Sequence, residues 1–90
     1  MPFIYILHCG DGTLYTGIAK NLAARLEQHR QGRASKYTRS RLPVTMVWKR
    51  RLLTWSRCLK EELRIKALTR AQKERLLAAS ARRSSPRPRL

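Results

Sequence analysis

The sequence predicts a small α+β domain, a three-stranded and mainly antiparallel sheet flanked by helices, in the order strand, strand, helix, strand, helix, helix. Three observations predict it. Phe3-Ile4-Tyr5-Ile6-Leu7 begins an almost wholly apolar run over residues 3–8, the pattern of a central strand covered on both faces. Gly10-Asp11-Gly12 is a turn signal between that run and a second strand-like stretch at 13–18. Helical spacing of apolar residues then recurs at 22–31, 55–66 and 69–79, and 90 residues leave room for one core only.

Register decides where two phenols of the hairpin point. With Gly10-Asp11-Gly12 as a three-residue loop, Cys9 faces Thr13, Leu7 faces Tyr15 and Tyr5 faces Gly17. Tyr5 and Tyr15 then project diagonally from one face. A two-residue Asp-Gly turn would put them on opposite faces unless a bulge intervened. Asn21 suits the N-cap of the first helix and Gly32 its end. At about 100° per residue, Leu22, Ala23 and Leu26 form its apolar stripe, with Arg25 and His29 neighbours on one edge and Glu27 pointing away. Segment 33–41 is basic with one aromatic, and is expected to be a loop or one short helical turn. Pro43 introduces a third strand from Val44 to about Leu52, and Thr69 can cap the last helix. From Ser80 the chain is rich in Ser, Pro and Arg, so the expected division is a domain at 1–79 and a disordered basic tail at 80–90.

Twenty-one Lys and Arg against 5 Asp and Glu give a formal charge of +16. Self-repulsion at that charge destabilises a compact chain, which makes a polyanion the natural partner. Nucleic acid leads, because neutralising phosphates and releasing their counterions drives affinity. A membrane surface is disfavoured, since the basic residues are spread along the chain, and no apolar run approaches the roughly 18 residues of a membrane span. Without a signal-peptide pattern, cytoplasmic residence is the expectation. Cys9 and Cys58 form no C-x-x-C motif and are expected to be reduced, buried thiols.

Few acids are available for chemistry. Asp11 belongs to the turn, Glu27 faces solvent, and Glu74 between Lys73 and Arg75 suits a solvated face. In the 55–66 helix, Cys58, Leu59, Leu63 and Ile65 mark an apolar arc that includes Glu62 and excludes Glu61. An inward carboxylate must be paired, hydrogen-bonded or metal-bound to offset desolvation. Glu62 therefore either forms a salt bridge, with an Arg or with Lys66 one turn later, or holds a metal in a cleft. No acidic cluster for two metals, no Cys/His zinc set and no phosphate-loop signature is present.

Phe3-Ile4-Tyr5, Tyr15-Thr16-Gly17, Asn21-Leu22-x-x-Arg25-x-x-x-His29 and Glu62-x-x-Ile65-Lys66, in that order, resemble a GIY-YIG nuclease domain. The small stand-alone bacterial members of the UPF0213 type are the most similar, and Lys36-Tyr37-Thr38-Arg39 and Leu68-Thr69-Arg70-x-x-Lys73 extend the likeness. It covers residues 3 to about 77. Phe3 replaces the name-giving Gly and Thr16 the Ile of the second triplet, both at packing positions.

The resemblance implies a metal-dependent endonuclease acting on nucleic acid, with DNA the expected substrate and low sequence specificity. It implies catalytic roles for Tyr5, Tyr15, Arg25, His29 and Glu62. Tyr15 would take a proton from the attacking water, although a phenol near pKa 10 is a poor base unless cations lower it. Tyr5 would position water or phosphate, and Gly17 would allow close backbone approach beside it. Arg25 would hold the scissile phosphate, and His29 would contact phosphate or carry protons. Glu62 would hold Mg²⁺ or Mn²⁺, hard ions that accept one carboxylate with waters and phosphate. Strand packing for the tyrosines, a surface role for Arg25 and a structural one for His29 stay open. The family's late Asn has no counterpart after Asn21, and Gln72 is the candidate replacement. Lys20, Arg33, Lys36, Tyr37, Arg39 and Arg41 would bind the nucleic acid, with a solvated charged face as the alternative. The competing functions are a non-catalytic nucleic-acid-binding protein and an accessory module recruited by repair or recombination proteins.

Overall fold

Strand β1 (Phe3–Cys9) is the middle of the sheet, as its unbroken apolar run requires. It pairs antiparallel with β2 (Leu14–Ala19) on one side and with β3 (Val44–Arg51) on the other, giving the order β2-β1-β3. A computed structural model describes residues 1–84 and adds helices α1 (Leu22–Arg30), α2 (Lys36–Arg39), α3 (Trp55–Lys66) and α4 (Arg70–Ser84).

The hairpin has the register of the three-residue loop. Leu7 faces Tyr15, Tyr5 faces Gly17, and the Cys9 N–H donates to Thr13 O at 2.9 Å. Gly12 sits at φ +85, a conformation that costs glycine little. Asp11 Oδ1 accepts from the N–H and the hydroxyl of Thr13, at 3.1 and 2.6 Å, which fastens the loop. Between β1 and β3 the register shifts at Ile6/Leu7, so Val47 bulges outward.

Alternation along β1 divides the core in two. Ile4 and Ile6 face Trp48 and Ile65, with Leu68, Leu76 and Leu77 packed around them, so α3 and α4 cover that face. Tyr5, Leu7 and Cys9 face the other way, onto Tyr15, Leu22 and Leu26, so α1 covers that one. Asn21 caps α1 by accepting from the Ala24 N–H at 3.0 Å. Its inward side is Leu22, Leu26 and His29, whereas Ala23, placed in the stripe by simple periodicity, is exposed. His29 takes the space on that side, which rotates the buried direction away from Ala23.

Helix α3 departs from its expected arc in the same way. Cys58 and Ile65 are buried, but Leu59 and Leu63 are exposed, because the inward direction is centred on Cys58 and Ile65. The segment 33–41 contains one short helix, capped by Ser35, whose hydroxyl accepts from the Tyr37 N–H. Thr69 and Gln72 form a reciprocal capping box at the start of α4, at 3.2 and 2.9 Å. That helix continues through Ser84, past the expected boundary at Ser80, because Ala78, Ala79, Ala81 and the arginines after it are good helix formers. The remainder of the expected tail, 85–90, lies outside the described residues. Cys9 and Cys58 are buried free thiols.

Candidate active site

Tyr5 leaves the middle of β1 toward α1 and is 1% exposed. Room for its ring comes from the neighbouring strand. A Cβ on Gly17 would lie 2.5 Å from the Tyr5 hydroxyl and 2.6 Å from the carbon bearing it, so only glycine fits. The hydroxyl lies 2.7 Å from His29 Nε2, and His29 Nδ1 lies 2.8 Å from Thr38 Oγ1. Thr38 also donates to Ser35 O at 3.4 Å. On this network Thr38 accepts from Nδ1–H, which leaves Nε2 to accept from Tyr5. Burial, together with the charge of Arg25, holds the His29 pKa down to about 4, so the ring is neutral at physiological pH. Burial pushes the Tyr5 pKa up to about 12, outweighing the hydrogen bond from Arg25.

Tyr15 projects from β2 on the same face and stands edge-on to His29, with ring centroids 5.2 Å apart. Its other neighbour is Tyr37 of α2, stacked at 5.7 Å and 29°. Arg41 covers the far side of Tyr37 at 3.9 Å, donates to Tyr37 O at 2.9 Å, and is ion-paired with Asp11 at 2.9 Å. A row from the hairpin turn through Arg41 and Tyr37 thus braces Tyr15. The Tyr15 hydroxyl has no protein hydrogen-bond partner among the described residues, whereas that of Tyr5 is fully engaged.

Arg25 reaches the same place from α1, one turn before His29. Its Nη1 donates to Gln28 Oε1 at 3.1 Å, while its Nε is shielded from solvent without a partner among the described residues. Such an orphan donor is costly unless an acceptor meets it. Glu62 arrives from the opposite face of the sheet, around its β2 edge. Helix α3 starts with Trp55 beside Lys20, and Arg70 just beyond its end donates to Gly12 O at 2.7 Å, so α3 runs antiparallel to β2. Seven helical residues advance roughly 10 Å, as do about three strand residues, which carries Glu62 from the level of Lys20 to that of Gly17. Its charge accordingly weighs against ionisation of Tyr5. Glu62 Oε2 also pairs with Lys66 Nζ at 3.3 Å.

A family model for the GIY-YIG catalytic domain matches residues 1–75. The chain belongs to the GIY-YIG family. It is 48% identical over 75 residues to UPF0213 proteins of Staphylococcus aureus strains Mu3 and N315, covering 83% of this chain and 92% of each of theirs. It is also similar to a UPF0213 protein from Bacillus halodurans solved by solution NMR, at 34% identity and TM-score 0.59, covering 88% of this chain and 85% of that one.

Of the residues the GIY-YIG resemblance singled out, Tyr5, Tyr15, Arg25 and His29 meet on one face, and Glu62 approaches from the edge. Two of them differ from expectation in surroundings. His29 is fully buried with both ring nitrogens engaged, so it offers none to a phosphate. Glu62 forms the Lys66 pair, the salt-bridge alternative weighed for it, and its charge also reaches Tyr5. Gln72 closes the α4 capping box through its side-chain oxygen and is therefore not a free substitute for the family's late Asn.

Among the expected nucleic-acid contacts, Lys20, Arg33, Lys36 and Arg39 are exposed. Tyr37 is exposed as well, and with the half-buried Arg41 it also forms the brace behind Tyr15. Thr38 carries a role that sequence reasoning did not assign. Its signal was faint, a lone Thr three residues after a helix-capping Ser in a basic segment. Among the described residues no three His, Cys, Asp or Glu side chains cluster for a metal, and no helix is long and apolar enough to cross a membrane.

Proposed function

We propose that the chain is a divalent-metal-dependent endonuclease that hydrolyses phosphodiester bonds in DNA with low sequence specificity. The observation that carries this reading is the gathering of Tyr5, Tyr15, Arg25 and His29 on one face, with the Glu62 charge close enough to act on Tyr5. Arg25 binds a non-bridging phosphate oxygen through its guanidinium and stabilises the charge that grows there. Tyr15 relays the proton of the attacking water, accepting it at the phenol oxygen as its own hydroxyl proton passes to solvent. Tyr5 cannot fill that role, because its proton is held toward His29 and its pKa stands at about 12; its hydrogen bonds to His29 and Arg25 instead fix the wall behind the phosphate. Glu62 suits Mg²⁺ or Mn²⁺, since one part-exposed carboxylate is a hard, incomplete ligand set that water and substrate phosphate can complete. Such an ion would supply Lewis-acid stabilisation of the phosphate and its leaving oxygen. The Lys66 pair is half exposed and weakly held, so it yields to a divalent ion at modest cost.

The +16 charge and the exposed Lys20, Arg33, Lys36 and Arg39 suit a polyanion, and they would serve a non-catalytic nucleic-acid-binding protein equally well. Cleavage of plasmid and branched DNA with Mg²⁺ or Mn²⁺ separates the two. The nuclease reading expects cutting that disappears in Glu62→Ala and Tyr15→Phe while binding persists. Equal weak cutting by all three proteins would leave binding as the function.

A further inference from the structure

The unassigned space nearest Arg25 is a cavity of about 480 Å³ between the end of β2, the first turns of α1 and the start of α3. Its volume lies within the range of small-ligand sites. Trp55 forms one wall and is 39% exposed, in contrast to Trp48, which is buried in the sheet core. Lys20 holds its ammonium 5.6 Å from the Trp55 ring. Asn21 and Gln28 also line the space, and their side-chain oxygens are already engaged by Ala24 N–H and Arg25 Nη1. The polar side chains lining the cavity are therefore rich in donors: two amide NH₂ groups, the Lys20 ammonium and the Arg25 guanidinium. Leu59 and Leu63, exposed at one and two turns beyond Trp55, extend an apolar lane along α3.

An exposed indole beside a donor-rich rim fits a flat aromatic ligand with carbonyl acceptors, and the shared Arg25 ties that ligand to a phosphate. A base inside a continuous duplex cannot supply a free face to Trp55, since its neighbours cover both sides. We propose that this cavity takes an unpaired nucleobase adjoining the phosphate held by Arg25, stacked on Trp55, so that the preferred substrate is a single strand or the unpaired strand of a branched structure. Lys20 contacts the backbone phosphate of the same nucleotide. This deepens the nuclease reading by naming the form of its substrate, but the binding it describes does not depend on cleavage.

The test uses the full chain in EDTA, where no cutting occurs, with fluorescently labelled oligothymidylate, an abasic strand of equal length and charge, and a duplex of equal length. Base–aromatic stacking contributes about 1–3 kcal/mol per base, so oligothymidylate should bind roughly tenfold more tightly than the abasic strand. It should also quench indole emission, since Trp55 is the exposed one of the two indoles. Trp55→Ala should abolish the advantage over the abasic strand, and Trp55→Phe should keep part of it, which separates lost stacking from lost folding. Equal affinity for the two strands, or an advantage that survives Trp55→Ala, overturns the proposal. Preferred cutting of continuous duplex, unchanged in Trp55→Ala, overturns it while leaving the nuclease reading intact. Base-dependent binding without any metal-dependent cutting supports the cavity and sinks only the nuclease reading.

Discussion

The two faces of the sheet are built from alternate residues of one strand, yet they are different materials. Ile4 and Ile6 enter a mainly aliphatic and indole layer with Ile65, Trp48 and the leucines of α4. Tyr5, one residue away from each, enters a layer in which His29 and Thr38 are fully buried and hydrogen-bonded in series. The first layer stabilises by area removed from water. The second buries polar groups that are tolerable only because each has a partner. The face with exacting geometry is the one that meets Arg25 and Tyr15, and the forgiving face holds the fold.

That contrast predicts a separation of effects. Arg25→Ala should lower metal-dependent cleavage by about 10²–10³-fold and lower stability by only about 1 kcal/mol, since it loses hydrogen bonds to Gln28 and Tyr5 but no aliphatic packing. Ile65→Ala should do the reverse, costing about 2–5 kcal/mol while activity per folded molecule stays at the wild-type level. Parallel urea titrations and single-turnover cleavage read both. Large stability loss in Arg25→Ala would dissolve the distinction between the faces.

Acid should attack only the polar face at first. His29 in the unfolded chain takes a proton near its ordinary 6.5, but in the fold only at about 4. Its contribution is therefore fully present above about pH 6.5 and declines as pH falls toward 4. The loss is on the order of 3 kcal/mol across that window. The Arg25 charge packed against it adds to the effect of burial, and the lowered carboxyls of Asp11 and Glu61 contribute further loss only at lower pH. Urea midpoints from pH 7.5 to 4.5 should fall for wild type and stay flatter for His29→Gln. Parallel slopes in the two proteins would mean that His29 is not buried in its neutral form.

Most of the frame was legible in the sequence, because the signals are local. The register that puts Tyr5 opposite Gly17 follows from counting a Gly-Asp-Gly loop, and Asn21 announces α1 by its own side-chain oxygen. Periodicity was weaker where side chains compete for the inward direction. Leu59 and Leu63 are apolar yet exposed, and Ala23 yields its place to a buried histidine. The environment of the site was hardest to see. That His29 turns inward depends on Thr38, supplied nine residues later by a segment whose composition is that of a basic loop. Tyr37 and Arg41 carry nucleic-acid-binding chemistry, but Asp11 and Tyr15 draw them into a brace through contacts that no spacing rule encodes.

A single substitution made on both faces tests the contrast most closely. Thr38→Val keeps the shape but removes the acceptor for His29 Nδ1. It should cost about 1–3 kcal/mol, the penalty of a buried group left unpaired. Thr38→Ser should restore the bond, and ¹⁵N chemical shifts of the imidazole should show the Nδ1–H form in wild type and Thr38→Ser but not in Thr38→Val.

Thr16 is the mirror case. It is 3% exposed on the aliphatic face, opposite Ile6, and its hydroxyl has no partner among the described residues. Its desolvation has no compensating bond, so Thr16→Val replaces a buried, unpaired hydroxyl with a methyl of similar size. The urea midpoint should rise by the equivalent of about 1 kcal/mol, and cleavage should not change, because the side chain points away from Tyr15 and Arg25. The same exchange of hydroxyl for methyl thus weakens the protein on one face and strengthens it on the other. A loss of stability in both variants would mean that Thr16 also has an acceptor, and that the two layers differ less than their contacts indicate.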